Sequence, residues 1–325
     1  MSRRPDERGA ALLSVLLLVA VMAVLAAVML DRLNLATRLA GNAQAMMRAR
    51  LAATSAESVA LVRLKALVDA QGDRTVDANG LLGRDVPLAL PQLGAGAAIT
   101  VRLDDAGNCF NVNSLVQQDI DGALTLRIVA LEQLRALMGQ AGLGQDEAFR
   151  LSDAMADWID SDSVALPNGA EDAAYRALPV PYRTANRLIV DLTELRAVRG
   201  MTAPLYQRLR PWLCALPAAE LSPIQLNTLR PEQAPLLAML APDVLTPARA
   251  RGLIAGRPGQ GWASAADAFR GLGTAPAQAT VRSRWFVLTQ SVRVDSVELE
   301  EQALVDTGVT PARIALRSWG DAESR

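Results

Sequence analysis

The sequence predicts an α+β protein: a long N-terminal helix on a small antiparallel sheet, with a large all-helical domain inserted between the first strand and the C-terminal strands. Three observations predict it. No proline falls between Pro5 and Pro87, and apolar residues there recur at helical spacing. Residues 126–272 carry a broken series of helix signals punctuated by Gly and Pro. Strand-like alternation occurs once before that block and three times after it. One strand on one side and three on the other would be odd as separate domains, but they make one natural sheet interrupted by an insert.

Taken in order, the chain begins with a charged leader, residues 1–8, that stops at Gly9. From Ala10 to Leu30 there is no charge, no Gly and no Pro, and Ser14 is the only polar residue. At about 1.5 Å per residue this run makes about 31 Å of helix, the thickness of a bilayer's hydrocarbon core. Arg3, Arg4 and Arg8 precede it, which keeps the N-terminus on the cytoplasmic side and exports the body. Three processing schemes compete: a secretory signal peptide cut after the run, an uncut signal anchor, and a cut before the run, after Gly9. The run is long, and no turn-rich cleavage region follows it, which disfavours the first.

Beyond Asp31 the helix continues to about residue 70, with Leu33, Leu39, Met46, Met47, Leu51, Val59, Leu61, Leu64 and Val68 as its apolar positions. A helix of such length needs partners along it: lipid or other helices first, then a sheet. Residues 72–96, rich in Gly, Asp and Pro, read as a linker. Residues 98–103 alternate as a strand. The run Cys109-Phe110-Asn111-Val112-Asn113-Ser114-Leu115 reads as a turn in which Asn side chains bond their own backbone. Helices follow at 126–138, 147–159, 191–198, 205–213, 235–240, 246–254 and 263–269. The stretch Ile224–Leu229 echoes the Asn-rich run and suggests two related halves. Strands return at 285–290, 297–300 and 312–317.

Composition narrows the chemistry. Histidine is absent, which removes His-assisted nucleophiles and His-ligated metals. Net charge is -1 and aromatics are 4%, so neither a global field nor stacking platforms favour nucleic acid. Two cysteines, Cys109 and Cys214, in an exported chain read as a disulfide or as two buried thiols. The densest polar cluster runs from Asp157 through Asp160 and Asp162 to Glu171 and Asp172, across Pro167 and Gly169. Carboxylates this close repel unless a cation sits among them, and calcium takes six to eight such oxygens. A solvated acidic loop is the simpler reading, and paired carboxylates for glycoside hydrolysis a third. The stretch Glu194–Gly200 is similar to a helix-hairpin-helix among Arg183, Arg187, Arg196, Arg199, Arg208 and Arg210. It offers a single glycine where that motif wants two, and it reads as structural.

A charged leader ending in Gly9, then an uninterrupted apolar helix, resembles the prepilin leader of type IV pilins and type II secretion pseudopilins. That resemblance implies cleavage by a prepilin peptidase with Ala10 as the new N-terminus. Most of that superfamily has Glu at the fifth mature position; here it is Ser14, an absence that resembles the K-type minor pseudopilins. The body carries the same resemblance in Asp157–Asp162, Gly169–Tyr175, Cys109–Leu115, Thr193–Met201, Ala215–Pro217 and Leu226–Thr228. It implies calcium held by Asp160, Asp162, Glu171 and Asp172. Asp157 belongs to the helix in this reading, and Asn186 or Asp191 are candidates for further ligands. Pairing of Cys109 with Cys214 also fits.

The resemblance implies a non-enzymatic subunit that initiates and caps the secretion pseudopilus at its tip. Its partners would be the I- and J-type minor pseudopilins, the major pseudopilin, the prepilin peptidase and secreted cargo. The expected domains are a leader at 1–9, a transmembrane assembly helix at 10–30, helix continuation, linker and first strand at 31–108, the insert at 109–280 and closing strands at 281–325. A membrane-anchored periplasmic calcium-binding protein outside any filament, and a tethered hydrolase, stand as alternatives.

Overall fold

The structure, a computed structural model, describes residues 5–77, 80, 82–89, 97–295 and 297–320, with residues 5–11 as backbone only. Helix α1 (Pro5–Ala70) runs unbroken through Gly9, Ala10 and Ser14 into the body. Arg3 and Arg4 of the leader lie outside the described residues. The apolar run from Leu12 to Leu30 is exposed throughout.

The second half of α1 lies on a five-stranded sheet. Its strands are β1 (Asp85–Pro87), β2 (Ala97–Asp105), β3 (Trp285–Val294), β4 (Val297–Asp306) and β5 (Arg313–Trp319). They stand in that spatial order, each antiparallel to its neighbour. The sequence pattern shows only four of them. Strand β1 falls in the stretch read as a linker, because three exposed residues ending in Pro87 carry no alternation; the pairing of Val86 with Val101 makes it a strand. A proline suits an edge, where its missing N–H is not needed.

The helix face that meets the sheet is the expected one at Leu64 and Val68 and a different one before them. Ala45, Ala49, Ala52, Ala53 and Ala56 are buried there, followed by Leu64 and Val68, while Leu33, Leu39, Met47 and Leu51 point outward. Alanines let the helix backbone approach the sheet closely, and apolar spacing alone favours the larger residues. Ala49, Ala52, Ala53 and Ala56 pack on Ile99, Val292, Val294 and Leu299.

The insert leaves at the end of β2 and returns into β3 at adjacent positions, since Asp105 pairs with Phe286 and the Ala106 N–H donates to Trp285 O at 2.9 Å. A buried polar knot seals this junction. The Asp105 carboxylate accepts from Ser283 Oγ (2.5 Å), Thr228 Oγ1 (2.7 Å) and the Gly107 N–H (2.8 Å). The insert carries α2 (Ile128–Gln140), α3 (Gln145–Ile159), α4 (Asp172–Arg176), α5 (Ala203–Leu209), α6 (Ala234–Ala238), α7 (Pro247–Ala255) and α8 (Ala265–Ala268) around one large core. The stretch read as a helix at 191–198 is a 3-10 turn, Leu192–Ala197, capped by Asp191. Three small two-stranded pairings accompany the helices, among them Phe110–Asn111 with Leu213–Cys214.

The Asn-rich run is a short strand followed by a 3-10 turn, and the Asn111 side chain does accept from the Asn113 N–H. Its asparagines also reach far. Asn113 pairs with both backbone groups of Ile189, accepting at 2.7 Å and donating at 2.8 Å. Asn227, in the echoing stretch, pairs with both backbone groups of Trp262, at 2.8 and 3.1 Å. A side-chain amide presents one donor and one acceptor, as a backbone strand does, so each Asn adds a one-residue pairing where no strand fits.

Candidate cation site and family

Helix α3 follows its N-cap Gly144 and carries Asp146 and Glu147 in its first turn, where the helix dipole favours acids. It ends at Ile159 with Asp160 as the C-cap. The chain then loops out through Asp162 and Pro167 and comes back at Glu171, which caps α4. Asp160, Asp162 and Glu171 are thereby gathered, each offering one carboxylate oxygen, and these atoms lie within 4.8 Å of one another. Asp160 is 3% exposed and Glu171 6%, while Asp162 faces solvent. Oδ1 of Asp160 and Oε1 of Glu171 are buried with no hydrogen-bond partner.

Asp172 is not in this group. Its carboxylate accepts from the Thr184 N–H (3.1 Å) and hydroxyl (3.0 Å) and pairs with Arg176 at 2.7 Å. Partial burial acts against the charge and is outweighed by Thr184, Arg176 and Arg183, which hold the Asp172 carboxyl below the usual range. Asn186 reaches the loop with its amide donating to Asp162 O at 3.4 Å, from a backbone with φ 46°. Asp191 stays with the 3-10 turn that it caps.

Asp157 supports the loop from α3. Fully buried, it accepts from the Ala170 N–H at 2.7 Å and the Leu166 N–H at 3.2 Å. A Cβ at Gly169 would stand 1.9 Å from Asp157 Oδ2, so only glycine passes this point. Sequence reading missed Asp153 and took Gly169 only as a break and a motif residue; the i, i+4 spacing of Asp153 and Asp157 on one helix face was the available signal. Trp158, Tyr175 and Tyr182 form an aromatic wall beside the loop, with centroids 5.2 to 6.2 Å apart.

The electrostatics match a site short of positive charge. Burial, then the neighbouring Asp162, Asp157 and Glu171, push Asp160 up to about 7. Burial, partly offset by the Leu166 and Ala170 N–H groups, pushes Asp157 to about 6. Glu171 is raised by burial and then by Asp157. Desolvated carboxylates with unused lone pairs suit a hard divalent cation, which takes oxygen ligands in flexible geometry.

Cys109 and Cys214 form a disulfide with Cα atoms 5.7 Å apart. It joins the two strands of the short parallel pairing, in which Asn111 lies opposite Cys214.

A membrane-length apolar helix that continues onto an antiparallel sheet defines a pilin-like assembly subunit, here with an acidic-loop domain inserted in the sheet. Residues 108–218 and 224–289 match two family models, both described as type II secretion system (T2SS), protein K. Type II secretion system protein K of Pectobacterium carotovorum subsp. carotovorum is 34% identical over 98% of each chain. That of Klebsiella pneumoniae is 33% identical over 97% of each. A chain in the crystal structure of the GspK-GspI-GspJ complex from the enterotoxigenic Escherichia coli type 2 secretion system superposes with a TM-score of 0.72 at 28% identity. The match covers 86% of this chain and 98% of that one. The chain belongs to the type II secretion system protein K family.

Proposed function

We propose that this chain is the minor pseudopilin at the tip of a type II secretion pseudopilus, where it initiates and caps the filament for protein export across the outer membrane. The observation that carries the reading is α1. Its first half is bare apolar helix, its second half is laid on a sheet, and Met47, Leu51 and Val62 on the outer face remain exposed for neighbouring helices. Ser14 in the bare half offers no carboxylate for the N-terminal amine of a subunit above. The insert, standing off the sheet at Asp105 and Trp285, adds bulk that blocks a further subunit.

In this role a prepilin peptidase cuts between Gly9 and Ala10, and the mature helix sits once through the inner membrane with the body in the periplasm. Partners are I- and J-type minor pseudopilins, as the name of the structural relative suggests, then the major pseudopilin and secreted cargo. The role is assembly, not catalysis. Calcium fills the acidic loop, with Asp160, Asp162 and Glu171 as protein ligands; the two buried, unpartnered oxygens support this. Asp172, already engaged by Thr184 and Arg176, holds the second wall of the loop instead.

Mass spectrometry of the mature chain tests the processing: an N-terminus at Ala10 is expected, and an intact Met1 or a cut beyond Leu30 refutes the pseudopilin role. Co-expression with I- and J-type pseudopilins is expected to give a ternary complex; its absence favours an anchored protein outside the filament. Calorimetric titration with calcium tests the loop, and no binding at millimolar calcium removes the metal.

A further inference from the structure

The three proposed calcium ligands sit at the two ends of a loop, and nothing in their own contacts explains what brings Glu171 back to Asp160. The answer lies one helical turn deeper. Asp153 and Asp157 stand i, i+4 on α3, both buried, and aim their carboxylates at the returning chain. Asp157 accepts from the N–H groups of Leu166 and Ala170. Asp153 Oδ2 accepts from the N–H of Asn168 at 3.2 Å and from its side-chain amide at 3.1 Å. Residues 166, 168 and 170, around the turn closed by Gly169 N–H to Leu166 O, therefore all donate to the helix, and the next residue delivered is Glu171.

Among the described residues Asp157 has no ion-pair partner, but Asp153 has one. Arg135 of α2 pairs with Asp153 Oδ1 at 2.5 Å and donates through Nε to Ser152 Oγ at 3.0 Å. Its guanidinium lies 4.2 Å from the Phe149 ring centroid, so the side chain is held on two sides. With Oδ1 engaged by this fixed cation, Oδ2 is left as the acceptor for the loop. The loop is thus anchored at its midpoint by a group that binding of a cation does not consume.

We infer that the Arg135–Asp153 pair, acting through Asn168, is a positioning device that pre-forms the cation loop and sets its affinity and its preference for calcium over magnesium. The inference rests on the calcium reading of Asp160, Asp162 and Glu171. Without the clamp, three mutually repelling carboxylates must be brought together at the moment of binding. With it, that ordering is done in the fold. A site with fixed ligand spacing also discriminates better between ions of different size.

The test uses the full chain in detergent, disulfide intact, titrated calorimetrically with calcium and separately with magnesium. Asp153→Asn is expected to weaken calcium binding about 10- to 100-fold, the usual effect of losing a supporting group behind a metal ligand, and to narrow the calcium-to-magnesium ratio. Asn168→Ala, an exposed change that leaves Arg135 paired, is expected to show a smaller loss in the same direction. Leu237→Ala, buried in α6, is the control: it lowers the thermal midpoint and leaves both affinities unchanged. Wild-type affinity in Asp153→Asn, or an equal loss in Leu237→Ala, overturns the inference while the calcium site stands. No calcium binding by the wild type overturns the calcium reading and the inference with it. If Asp153→Asn does not fold, unchanged affinity in Asn168→Ala overturns the inference alone.

Discussion

Where α1 meets the sheet, the buried side chains are mostly alanines; inside the insert they are Phe110, Leu115, Leu134, Leu137, Met138, Leu151, Met155 and Tyr175. The first interface is thin and long, and its deepest polar group is ionic. Glu57 of α1 and Glu301 of β4 share Arg317 of β5, at 2.7 and 2.8 Å, while Gln290 of β3 donates to Glu301 and to the Ala53 carbonyl. The second is a thick core stapled by a disulfide and by asparagine pairings. The difference teaches how the labour is divided. A helix destined for a bundle keeps its large side chains outside, for other subunits, and meets its own sheet through small ones. The insert closes around a core of its own.

The largest expected effect breaks the comparison on the insert's side. The disulfide closes a chain segment of 105 residues, so Cys109→Ala with Cys214→Ala is expected to cost about 4–5 kcal/mol on the chain-entropy argument. Denaturant unfolding followed by amide exchange reads it: protection falls in α2 and α3 and persists in β3 and β4. Loss everywhere at once would mean that the two regions unfold as one.

Next is the opposite lesion. Ala49→Leu puts three more carbons into an interface with no room, at a cost of about 1–3 kcal/mol. Exchange in β3 is expected to rise while the insert stays protected, and a neutral result would show that the helix does not need small residues to dock.

A smaller effect concerns pH. Burial, then the hydrogen bond and charge of Glu57, push Glu301 up to about 7, against the opposing pull of Gln290 and Arg317. An unfolded Glu titrates near about 4.3, so between those values the native state holds more protons than the unfolded one. Stability is therefore expected to fall as pH rises from about 4.5 to 7, by on the order of 1–2 kcal/mol, and to level off above. Glu301→Gln is expected to flatten that slope; thermal midpoints at pH 5.5 and 7.5 measure it. The smallest effect is at the surface. Arg293→Ala removes an exposed pair with Glu298, and a change under about 0.5 kcal/mol is expected in the same melts.

Much of this was legible in the sequence. An apolar run without charge can only be membrane or bundle helix, alternation marks β3 to β5, and carboxylates crowd between Asp157 and Asp172. Those signals are local, because they follow from spacing along one chain segment. Strand β1 has no local signal, since its pairing with β2 is what makes it a strand. The buried face of α1 turned out to be its alanines because the sheet selects for closeness, a demand that appears only when the two surfaces meet.

The acidic loop divides in the same way. Its residue types, and their surplus of negative charge, are a property of the sequence. Which three of them converge, why Asp172 goes to Thr184 and Arg176 instead, and why Asp153 and Asp157 hold the loop were decided by the tertiary structure. The physical reason is that a carboxylate's role depends on its partners: Arg135 lies 18 residues from Asp153, and Thr184 lies 12 from Asp172. Separations of that kind close only in the folded chain.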